Sequence, residues 1–156
     1  MNPTLDIVTE MPEERFLEIY ETLSEQGFGP LDGEVAKALK FRPQAIRKLA
    51  FEQRAKHARK IIERTRNADL AYELLGGFLM KKSRELVTDF LDLTGVEHDE
   101  GMIEEGAPDE AKLDEAVKTL DEKYDPEDVT LYLALSTQTW PQSSRIAEVL
   151  AARTNA

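Results

Sequence analysis

Two arginines stand closest to chemistry in this sequence. On a helical wheel at 100° per residue, a helix expected over residues 43–66 carries two apolar patches. Ile46, Leu49, Ala50, His57 and Ile61 form one, and Phe51, Ala55, Ala58 and Ile62 the other. Arg47 and Arg54 fall in the gap between them. If both patches pack, these guanidiniums are at least half buried, and a buried charge left alone is costly. Each then needs an anion. The protein can supply one, because 29 of its 31 acids lie outside residues 37–66. The sharper alternative is an external ligand. Arg47, Arg54 and His57 would then line a site for phosphate or carboxylate, groups that the planar guanidinium bonds in pairs. Lys48, Lys56, Arg59 and Arg66 lie on the outer face of the same helix and would offer a surface to an acidic partner.

Other chemistries find less footing. The two histidines, His57 and His98, are far apart, and neither belongs to a ligand pair at helical spacing. His98 sits in Glu97-His98-Asp99-Glu100, which could hold a divalent ion only loosely, and the spacing of the calcium loop is not met. No metal site and no cofactor are expected. No serine lies in a Gly-x-Ser-x-Gly turn, and Gly27-Phe28-Gly29-Pro30 reads as a helix stop, not a phosphate cradle. No catalytic residue is therefore assigned. Acidic pairs such as Asp109/Glu110, Asp114/Glu115 and Asp121/Glu122, together with Asp128, read as solvated faces.

The charge is zoned. Residues 1–36 hold nine acids and one base, residues 37–66 eleven bases and two acids, and residues 67–156 twenty acids and eight bases. A basic helix in an acidic body suggests an interaction surface. It also suits self-association, one copy's basic strip meeting another's acidic face. Nucleic acid is the weaker reading. The sequence pI is about 4.7, and no aromatic platform accompanies the bases.

The elements that must position these residues are helical. Pro12, Pro43, Pro108, Pro126 and Pro141 sit where helices should start, most with acids in the following turn. Apolar spacing predicts helices over about 12–26, 32–40, 43–65, 68–94, 108–124 and 141–153. The seam of the fourth is Tyr72, Leu75, Leu79, Ser83, Leu86, Phe90 and Leu93. Gly76-Gly77 within it calls for a close neighbour. Val129–Leu135 alternates like a strand, but the Asp125-Pro126 start argues for a buried helix. Residues 95–106 read as a loop or a small hairpin turning near Asp99-Glu100-Gly101. Trp140 reads as a packing anchor.

The expectation is an all-α, single-domain irregular bundle of six or seven helices over residues 1–156, with 1–10 and 154–156 flexible. The chain has no Cys, so disulfides and thiolate chemistry are excluded. No apolar run approaches the roughly 20 residues of a membrane crossing, and the start lacks the pattern of a signal peptide. The resulting reading is a non-enzymatic cytoplasmic interaction or adaptor protein. It would use a protein partner or self-association, with binding of, or catalysis on, a small phosphate or carboxylate ligand in the Arg-lined pocket as the alternative.

Overall fold

The computed structural model describes residues 3–24 and 50–154. Their eight helices and absence of strands make the protein all-α. The helices are α1 (Pro3–Glu10), α2 (Glu13–Ser24), α3 (Phe51–Thr65), α4 (Ala68–Lys82), α5 (Arg84–Thr94), α6 (Glu110–Lys123), α7 (Pro126–Thr139) and α8 (Ser144–Thr154). The helix expected over 32–40, the stop at Gly27–Pro30, Arg47 and Lys48 lie outside the described residues. The chain divides into two compact units, Met1–Phe78 and Leu79–Ala156.

In the first unit α3 packs against both α1 and α2. Residues 3–10, expected to be flexible, instead form α1, because Leu5 and Val8 repeat on one side and are buried. In α2 the buried set is Phe16, Ile19, Tyr20 and Leu23, the expected stripe. The long helix over 43–65 is corrected. Ala50 is extended at φ −60° and ψ 147°, so α3 begins at Phe51. At its other end Arg66 takes the left-handed conformation (φ 50°), and Asn67 Oδ1 accepts from the Leu70 amide to cap α4. The paired glycines do not break α4. A Cβ on Gly77 would lie 3.1 Å from a Leu23 methyl, so the expected close neighbour is there, whereas Gly76 faces open space.

In the second unit α6 packs on α5 and α7, and α8 packs on α6 and α7. The single helix expected over 68–94 is also corrected. Ser83 (φ −138°, ψ 48°) interrupts it, and its carbonyl accepts from Leu86 and Val87 to start α5. The break rephases the seam. Leu86, Val87, Phe90, Leu91 and Thr94 are buried, while Leu93 turns outward. This split, together with α1, raises the helix number above the expected six or seven. Val129–Leu135 is helical and buried nearly all round, which is why its alternation carried no strand. Asp128 is not a solvated residue: it is buried, with the Lys82 ammonium 3.7 Å away. Pro141 lies in the turn before α8, and Ser143, not the proline, leads into the helix. Trp140 anchors the unit as expected. It stacks with Phe90 at 6.3 Å, Phe90 meets Tyr132 edge-on at 4.9 Å, and the Trp140 indole donates to the Gly106 carbonyl at 2.9 Å.

Between α5 and α6 the loop makes the small hairpin turn. Asp99 and Met102 exchange both main-chain hydrogen bonds at 2.9 Å across Glu100 and Gly101, which have positive φ. Gly101 is required twice over, by its φ of 94° and by the Met80 methyl 3.1 Å from where a Cβ would sit. Among the described residues no helix is long and apolar enough to cross a membrane.

Candidate functional site

The basic helix turns two of its arginines, Arg54 and Arg59, inward and leaves Lys56, Lys60, Arg64 and Arg66 exposed. Arg54 is only 8% exposed, and its guanidinium carbon lies 5.5 Å from the centre of the Tyr20 ring. Its place in the wheel, between Ala55 and Ala58 on one side and Ile61 on the other, put it near the core. The wheel was right about burial. What it could not show was that an aromatic face from α2 covers the cation.

Arg59 had read as part of an outer surface. The structure gives it a different setting. Its Nη2 donates to the Thr9 carbonyl at 2.9 Å and to the Met11 carbonyl, closing the C-terminal end of α1. Its Nε lies 3.5 Å from Glu63, and its guanidinium carbon lies 5.8 Å from the Phe16 ring centre. Arg15 of α2 repeats the theme over Phe78 at 5.2 Å. Lys56 is exposed and pairs with Glu13 of α2 at 3.8 Å. Arg66 is exposed at the left-handed end of α3, and His57 is half-buried.

Beside these contacts runs a groove of about 400 Å³ between α2 and α3. Phe16, Leu17 and Ala55 give it an apolar floor, with Glu13 and Glu14 on the α2 edge. The α3 edge carries Lys56 and Lys60 together with Glu52 and Glu63. Of the residues singled out from sequence, Lys56 and Arg59 meet here, whereas Arg54, His57 and Arg66 are not in its lining. Leu17, Lys60 and the α2 glutamates were missed. One signal did mark Leu17: it stands off the Phe16–Ile19–Tyr20–Leu23 stripe, an apolar side chain with no place in the core.

A second charged cluster lies in the other unit. Asp89 accepts from the Lys123 ammonium at 2.7 Å and from the Tyr124 hydroxyl at 2.6 Å. Burial pushes the Asp89 carboxyl up, but the hydrogen bonds from Lys123 and then Tyr124 outweigh it and hold it below the ordinary aspartate value. Burial, and next the bond to Asp89, raise Tyr124. The Asp89 bond raises Lys123. Each group is fixed in its usual ionic form, which suits a structural tie and not proton transfer. Among the described residues no group of three or more acids and histidines is placed to hold a metal ion.

Comparison with protein-family models, with curated proteins and with solved structures finds no match to this chain.

Proposed function

We propose that the protein acts in the cytoplasm by binding another polypeptide, as a non-enzymatic interaction or adaptor protein, through the groove between α2 and α3. The observation that carries this is the groove's make-up: an apolar floor of Phe16, Leu17 and Ala55 between edges charged with both signs. A trough between two helices is the natural seat for a third, whose apolar side chains recur every three or four residues. The partner segment is therefore an amphipathic helix. Its flanking charges are basic toward Glu13 and Glu14 and acidic toward Lys56 and Lys60. The Lys56–Glu13 pair across the groove resists little, since both side chains are more than 60% exposed and such pairs contribute about 0–1 kcal/mol.

The anion-site and nucleic-acid readings have less support. Arg59 donates to main-chain carbonyls, and Arg54 is covered by Tyr20. Peptide display separates these readings. Selection on the intact protein, with counter-selection on Leu17→Arg, should enrich amphipathic helical sequences that fail to bind the variant. Enrichment indifferent to Leu17→Arg, or none, would overturn the groove reading. Retardation of an oligonucleotide at low salt would instead favour nucleic acid, and a melting point raised by phosphate would favour the anion site.

A further inference from the structure

His98 uses both of its ring nitrogens. Nδ1 lies 3.1 Å from the Gly101 amide, and Nε2 lies 2.7 Å from Asp92 Oδ1 of α5. A main-chain amide can only donate, so Nδ1 must accept and carries no proton. The ring proton therefore sits on Nε2 and is donated to Asp92. The ring is a neutral bridge, its side chain 13% exposed, between the end of α5 and the tip of the 99–102 hairpin.

This arrangement has a built-in conflict with a second proton. A proton on Nδ1 would face the Gly101 N–H, donor against donor, and that bond would be lost. The other bond would gain, because the imidazolium faces Asp92 at hydrogen-bond distance. The groups around the ring are Asp92 from α5, and Glu97, Asp99, Glu104 and Glu105 from the loop itself. Glu100 lies at the turn. On the α6 side Lys112 approaches the loop at Gly95, 3.8 Å from the place of a Cβ. Met80 and Val87, which pack on Gly101, bring no charge. Acids outnumber the one nearby cation, so the protonated ring has a welcoming field on the Asp92 side. The turn is tied within itself by the paired bonds between Asp99 and Met102, which do not involve the ring.

We propose that His98 is a proton-operated latch, which holds the hairpin tip 99–102 when neutral and releases it on protonation while staying bound to Asp92. The released tip carries Met102, the most exposed large apolar side chain among the described residues. The device is independent of the α2/α3 groove.

Nuclear magnetic resonance of the intact chain tests this. Ring nitrogen shifts should show the Nε2–H tautomer at about pH 8, and the Gly101 amide signal should move with the same midpoint as the His98 ring on acidification to about pH 5. Corrected for intrinsic pH dependence, Gly101 amide exchange should quicken about tenfold across that midpoint. Asp92→Asn should leave the coupling between the ring and the Gly101 amide intact. An Nδ1–H tautomer at the alkaline end, or a Gly101 amide that ignores the ring's titration, would overturn the proposal.

Discussion

In Met1–Phe78 twelve bases meet thirteen acids, for a net charge of −1, whereas in Leu79–Ala156 eight bases meet eighteen acids, for −10. The two units also hold their arginines differently. Arg15, Arg54 and Arg59 each lie over an aromatic ring, at 5.2, 5.5 and 5.8 Å from the ring centre. Arg145 instead grips Asp114 through both carboxylate oxygens, at 2.6 and 2.8 Å. Arg153 grips Asp121 fork to fork, Nη1 and Nη2 each donating to one carboxylate oxygen at 2.7 and 2.8 Å, and adds the Thr130 hydroxyl and the Pro126 carbonyl. In the first unit the flat face of the guanidinium lies on a ring, beside an ion pair to Glu18 for Arg15 and to Glu63 for Arg59, whereas in the second the charged fork meets a carboxylate. A stacked face is close-range and indifferent to salt. A carboxylate pair at the surface is screened by it.

The largest effect should come from Arg59→Met. It removes the two carbonyl bonds at the end of α1, and should cost the first unit about 2–3 kcal/mol, read from hydrogen exchange of α3 amides. Most of the loss should remain at high salt, because the carbonyl bonds are kept and only the pair to Glu63 is screened. If it vanishes at high salt, the two units do not differ in kind. Arg153→Met comes next. Unfolding followed at Trp140, the chain's only tryptophan, should show a loss of about 1–2 kcal/mol at low ionic strength that shrinks as salt is added. A loss unaffected by salt would break the comparison from the other side.

A smaller effect is set by pH. The folded Asp89 carboxyl lies below its ordinary value of 3.8. Its contribution is therefore complete above the unfolded value and is lost as pH falls through the lower, folded one. Wild type should thus exceed Asp89→Asn in stability at neutral pH, and the gap should close in acid, not in base. The smallest effect is a gain. Arg66 holds a left-handed φ that glycine adopts freely, so Arg66→Gly should stabilise the end of α3 by about 0.5–1 kcal/mol. A loss there would mean that the arginine side chain matters more than its backbone.

Much of the helical order was legible before any coordinates. Asp125 caps α7 through the Glu127 amide, and Asp109 caps α6 through the Ala111 amide, where proline and acid had marked the starts. The breaks were not legible. Ser83 interrupts the run expected over 68–94 and Ala50 is extended within the run expected over 43–65, with no glycine or proline at either point, and an apolar stripe read across them looks continuous. The site was half legible. The wheel located Arg54 near the core from its own helix, but the partner that covers it, Tyr20, stands 34 positions earlier, and no periodicity connects them. Arg59 was misjudged for a related reason. Its targets are main-chain carbonyls, which every sequence contains and none displays. Arg47, half of the original pair, lies outside the described residues.

A single arginine side-chain spectrum, recorded at low and at high salt, tests the central claim most directly. Rings beside Arg54 and Arg59 should displace their side-chain signals upfield by ring current at both salt concentrations, while the signals of Arg145 and Arg153 shift as their carboxylates are screened. Signals of Arg54 and Arg59 at the position of a solvated arginine at both salt concentrations would contradict the account.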